Sequence, residues 1–130
     1  MAAEESGKLD RGDGIGLAWA RIAASGAGPT VVFLPGFRSD MAGDKAMSLA
    51  AFARERGVGM LRFDYSGHGA SDGRFEDGAI SEWTADALRA IDRLTVGPLI
   101  LVGSSMGGWI GLRVALARPD RVAEIGRAHV

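Results

Sequence analysis

Leu99 to Val102 reads LILV, four apolar residues in a row, and the chain then passes through Gly103-Ser104-Ser105-Met106-Gly107 into a stretch that runs to Pro119. A short, wholly apolar run bounded by turn residues reads as a strand buried on both faces, the strand type of parallel sheets. The stretch from about Met106 to Arg118 is too long for such a strand and is stopped by a proline, so it reads as a helix. Strand, tight glycine turn and helix in direct succession leave few folds open. Two more runs share this character: Thr30 to Leu34 (TVVFL), between Pro29 and Pro35-Gly36, and Val58 to Phe63, which ends in Asp64.

Helical spacing fills the gaps between the runs. Asp44 is expected to cap a helix with Ala46, Met47, Leu49, Ala50, Phe52 and Ala53 on one broad apolar face and Gly57 as its stop. Ser81 is expected to cap another, carrying Trp83, Ala87, Leu88, Ile91 and Leu94. Upstream, Gly16 to Ala23 alternates as a half-buried strand does, and Ser25 to Pro29 is a turn. This alternation predicts an α/β chain with a mostly parallel sheet and helices on both faces. Residues 1–13 form a polar N-terminal segment, and no repeat, linker or low-complexity stretch is evident.

Composition closes off several functional classes. Fifteen basic and sixteen acidic residues are mixed along the chain with no basic stripe, so no nucleic-acid partner is expected. The absence of cysteine excludes disulfides, zinc-thiolate sites and thiol chemistry. The apolar stretch Pro98 to Ala117 is broken by glycines, serines and Arg113, so no membrane span is expected. The polar, acidic start, MAAEESGKLD, has no apolar leader and is not rich in arginine, which makes the cytoplasm the default location.

Gly103-Ser104-Ser105-Met106-Gly107 fits G-x-S-x-G and lies between a buried strand and a helix, where a nucleophile elbow belongs. The sharp turn lifts the Ser105 hydroxyl above the sheet, and Gly103 and Gly107 let backbone pass close by. Serine is a poor nucleophile at its resting pKa, so it needs a base, normally a histidine oriented by a carboxylate. Pro35-Gly36-Phe37 follows the first buried strand, where this arrangement takes its second oxyanion donor. The backbone N–H groups of Phe37 and Met106 are therefore the expected oxyanion hole.

Other readings of the same glycines are weaker. A plain tight turn needs no serine. A P-loop lacks its Gly-Lys-Ser/Thr, and the G-x-G-x-x-G spacing of a dinucleotide site is absent. In the loop after Asp64, His68 precedes the nucleophile, whereas this chemistry takes its histidine after it, so a structural role is expected for His68. His129 comes too soon after Ser105 for that part. Arg38 and Lys45 read as solvated cations rather than as binders of an anionic substrate.

The segments FLPGFRSDMAGDKA, RFDYSGHGASDG and GPLILVGSSMGGW, in this order, resemble those of α/β hydrolases, and within them the subgroup of palmitoyl-protein thioesterases and acyl-glucuronide esterases. The resemblance covers about Gly14 to Ala123. It implies a serine hydrolase that cleaves carboxylic esters or thioesters, of small molecules or of acylated proteins, through an acyl-enzyme on Ser105, with no metal and no organic cofactor. A fold of this class runs to about 200–250 residues. The chain is accordingly expected to be truncated after the nucleophile helix, with residues 14–123 as the N-terminal half of the domain, without the triad acid and histidine, and inactive alone. Residues 124–130 (EIGRAHV) are expected to be a non-native tail, because they can be written as codons that contain a common sequencing-adapter sequence in frame. A non-catalytic binding or scaffold protein on the same fold is the alternative, and a phosphate-binding module a third reading. Oligomeric state is left open.

Overall fold

The computed structural model of the chain describes residues 4–26 and 28–127. Among them are six strands, β1 (Glu4–Asp10), β2 (Gly16–Ile22), β3 (Thr30–Leu34), β4 (Gly59–Phe63), β5 (Leu99–Gly103) and β6 (Val122–Arg127). Three α-helices connect the strands from β3 onward, α1 (Asp44–Arg56), α2 (Ile80–Leu94) and α3 (Met106–Ala117), with a short 3-10 turn at Phe75–Asp77. The strands form one sheet in the order β1-β2-β4-β3-β5-β6. The first two pairings are antiparallel and the other three parallel, so the chain has the expected mostly parallel α/β architecture.

The apolar runs bury both faces because successive side chains of a strand point to opposite sides of the sheet. Val32 and Leu34 of β3, Leu61 and Phe63 of β4, and Leu99 and Leu101 of β5 join Trp83, Ala87, Ala90 and Ile91 of α2 and Ile110 and Val114 of α3 in one core. Phe33 and Met60, of the opposite parity on their strands, face the other way and pack with Ala46, Ala50 and Ala53 of α1. Helices therefore cover both faces. The buried stripe of α1 is narrower than its sequence suggests, since Met47 and Phe52 are about half exposed. At 3.6 residues per turn, positions 46, 50 and 53 share a side that 47 and 52 leave.

Helix starts also differ from expectation. Neither Asp44 nor Ser81 caps: the helices begin at Asp44 and Ile80, after Gly43 and Ala79 in extended conformation, and no side-chain cap bond forms. Asp44 instead lies in the first turn, where a carboxylate meets the positive end of the helix dipole. Gly57 ends α1 with φ 69°, as expected.

Two strands extend beyond the expected set. β1 lies in the polar segment of residues 1–13 and pairs along its full length with β2. β6 runs parallel to β5 and includes residues 124–127 of the expected tail. Both are main-chain pairings, which any residue with a free N–H and C=O can join. The edge of β5 away from β3 is thus covered by β6. The turn after β1 is anchored by Arg11, whose Nη1 donates to the buried Asp86 of α2 at 3.1 Å. Among the described residues no helix is long and apolar enough to cross a membrane.

Outward, α3 presents Trp109, Leu112 and Leu116, the last 84% exposed. An apolar face of this kind drives association. The 130-residue chain is expected to bind a hydrophobic dye and to sediment as assemblies; a dye-silent monomer in sedimentation velocity would contradict this.

Candidate active site

Only Ser104 and Ser105 separate β5 from α3. Ser105 has φ 55° and ψ −117°, a conformation that a residue with a side chain adopts at a cost of about 1–3 kcal/mol. Hydrogen bonds on both sides hold it there. The Ser104 N–H donates to Leu34 O (3.1 Å), Gly107 N–H to Ser104 O (2.9 Å) and Gly108 N–H to Ser105 O (2.9 Å). The result is an exposed serine at the C-terminal edge of a parallel strand and the N-terminal end of a helix.

Backbone crowding explains the glycines. A Cβ on Gly107 would run into the carbonyl oxygen of Leu34, and one on Gly103 into the backbone of Gly107 and Gly108. A Cβ on Gly36 would come to 2.9 Å from Ser104 O and 3.4 Å from Ser105 Cβ. The loop after β3 therefore lies against the turn after β5, which sets the residue after Gly36 beside Ser105. The N–H groups of Phe37 and Met106 have no backbone acceptor among the described residues. Met106 opens α3, where the first amides have no partner within the helix.

The Phe37 ring is 54% exposed but packs edge-on against Phe75 and Trp83, at centroid distances of 5.1 and 6.3 Å. Arg38 lies over Phe75 at 4.6 Å and has φ 58°. Lys45, expected to be solvated, donates to Ser104 Oγ at 3.2 Å. His68 is buried among Tyr65, Phe75 and Trp83, with Nδ1 3.0 Å from Ser66 O. That placement agrees with a structural role. His129 lies outside the described residues.

Three residues that the sequence does not single out surround the loop after β3. Tyr65 OH donates to Pro35 O at 2.9 Å, Met41 N–H donates to Asp64 Oδ1 at 2.7 Å, and Arg62 Nη1 donates to Met41 O at 2.6 Å. Burial raises the Asp64 pKa, opposed by the N–H groups of Ala70 and Met41. Burial likewise drives the Tyr65 pKa upward, so this phenol stays a donor. No group of three or more His, Cys, Asp or Glu side chains that could hold a metal ion occurs among the described residues.

A family model described as "Alpha/beta hydrolase family" matches residues 31–128. The chain is 44% identical over 117 residues to the mitochondrial palmitoyl-protein thioesterase ABHD10 of Homo sapiens, a match covering 90% of the chain and 38% of that protein. The chain thus spans about 38% of the length of such relatives. Alpha/beta hydrolase domain-containing protein 10 from mouse superposes with a TM-score of 0.88 at 39% identity, covering 95% of this chain and 48% of that one. Est1E from Butyrivibrio proteoclasticus, solved with ferulic acid bound, gives 0.80 at 26% identity, covering 91% and 50%. The mammalian names overturn the cytoplasmic expectation, since those relatives are mitochondrial. A polar start carries no weight on location in a chain matching so small a part of its relatives.

Glycine adopts the mirror-image extended region of Ser105 without strain, whereas alanine does not. Ser105→Gly is therefore expected to be about 1 kcal/mol more stable than Ser105→Ala in urea unfolding. Equal midpoints would mean that the turn stores no strain.

Proposed function

The chain belongs to the alpha/beta hydrolase family, and from that premise we propose that Ser105 is the nucleophile of a serine hydrolase acting on carboxylic esters or thioesters. The observation that carries the reading is the backbone of Ser105, held at φ 55° in a two-residue turn between strand and helix, with Gly36 against it. The thioesterase name of the 44%-identical relatives supports an acyl substrate, of a small molecule or of an acylated protein.

In the proposed reaction Ser105 Oγ attacks the acyl carbon while a histidine takes its proton. The carbonyl oxygen becomes an oxyanion held by the N–H groups of Phe37 and Met106. Collapse expels the alcohol or thiol, which receives the proton from the histidine, and leaves an acyl-serine. Water then attacks the acyl carbon, assisted by the same base, and Ser105 is released. The chemistry needs neither metal nor organic cofactor. Neither a histidine nor a carboxylate supports Ser105 among the described residues, where His68 is turned to Ser66. The intact protein is proposed to bring both from chain following the nucleophile helix, so the 130 residues alone do not turn over. On the same reading, residues 14–123 are the N-terminal half of the hydrolase domain and 124–130 a non-native tail, for which resequencing of the locus is the test.

In the intact protein, a fluorophosphonate probe is expected to label one site, with labelling and ester turnover lost in Ser105→Ala and kept in Ser104→Ala. A chelator is expected to leave the rate unchanged. Labelling that survives Ser105→Ala but not Ser104→Ala would move the nucleophile by one residue, and loss of activity in chelator, restored by a divalent metal, would change the reaction class.

A further inference from the structure

We propose that Arg62, Asp64 and Tyr65, at the end of β4, are positioning residues that clamp the oxyanion loop from both ends. This inference rests on the assignment of Phe37 N–H as an oxyanion donor. The loop leaves β3 at Pro35 and reaches α1 at Asp44. On the near side of Phe37, the buried hydroxyl of Tyr65 donates to the carbonyl of Pro35. On the far side, Met41 is gripped twice: its N–H donates to Asp64 and its carbonyl accepts from Arg62. All three clamping side chains are more than nine-tenths buried, so water does not compete for these bonds.

The grip is braced from behind. Arg62 Nη2 reaches both carboxylate oxygens of Glu4, at 3.0 and 2.9 Å, tying the clamp to the outermost strand. Asp64 Oδ2 accepts from Ala70 N–H at 2.9 Å, tying it to the loop after β4. Between the pinned ends, Ser39 N–H closes a turn onto Gly36 O at 3.0 Å, and Arg38 is held at positive φ. A non-glycine residue persists there only where its surroundings over-determine the backbone. The three side chains act through Pro35 and Met41, and thereby set the plane of the Gly36–Phe37 peptide whose N–H faces the developing charge. An oxyanion donor works only within a few tenths of an ångström of its place, because it counts in the transition state and not in the bound substrate.

The test is Tyr65→Phe in the intact protein, which removes one buried oxygen and no ring. Turnover is measured per site titrated with a fluorophosphonate, so that misfolded protein drops out. The expected result is a fall in kcat of about 10-fold, short of the roughly 10²–10³-fold loss on deleting a donor outright, with KM nearly unchanged. Affinity for a boronic acid that mimics the tetrahedral state is expected to fall by the same factor as kcat/KM. Arg62→Lys, which keeps charge and most of the stem, is expected to show the same split more weakly and serves if Tyr65→Phe does not fold. Unchanged kcat per titrated site in the folded variant, with only a lower melting temperature, would overturn the proposal and leave these residues as ordinary core contacts. Turnover that survives Ser105→Ala would instead overturn the nucleophile assignment, whatever the clamp does.

Discussion

The end of β3 and the start of α3 lie so close that no side chain fits between them, and the rest of the site follows from that contact. Gly107 accommodates the carbonyl of Leu34, Gly103 accommodates the first turn of α3, and Gly36 lies against Ser104 and Ser105. Backbone touches backbone across the top of the sheet. Two loops separated in sequence by α1, β4, α2 and β5 are thereby brought within a few ångströms, with Gly36 of one against Ser104 and Ser105 of the other. The geometry depends on atoms that every residue has, and on side chains that are missing at three positions.

This explains which parts were legible in the sequence. β3, β4 and β5 could be read because wholly apolar runs between turn residues have few alternatives, and Ser105 because spacing and flanking glycines record the crowding directly. β1, EESGKLD, shows no apolar alternation, since its side chains are almost all exposed and it is held by main-chain pairing to β2. β6 carries exposed residues for the same reason. The clamp around the oxyanion loop was illegible because Arg62, Asp64 and Tyr65 bond to backbone atoms of Met41 and Pro35, 21 to 30 residues away. A main-chain partner leaves no trace in residue type. Helix starts were misplaced by one or two residues because Asp44 and Ser81 are good caps by chemistry, while the chain enters each helix through an extended residue that makes no such bond.

Three buried side-chain nitrogens lack a hydrogen-bond partner among the described residues: Arg62 Nε, and two in the aromatic cluster under Phe37. His68 Nε2 and Trp83 Nε1 are buried without a hydrogen-bond partner among the described residues. The Nδ1 of His68 faces the Ser66 carbonyl at 3.0 Å. The ring stands nearly perpendicular to Trp83 and Tyr65, at 88° and 80°. The imidazole here packs as a fourth aromatic wall.

Strand order has a consequence for how the molecule comes into being. β3 lies between β4 and β5, both of which follow it along the chain. A ribosome therefore delivers the central strand before either neighbour exists, and that strand must wait, apolar on both faces, through some sixty residues of further synthesis. Its second edge is occupied only when Leu99–Gly103 emerges, carrying Ser105 directly behind. Pairing of β3 with β5 brings the loop after Leu34 and the turn after Gly103 together in one event. The two halves of the site therefore meet late in synthesis, only once β5 has emerged beside β3.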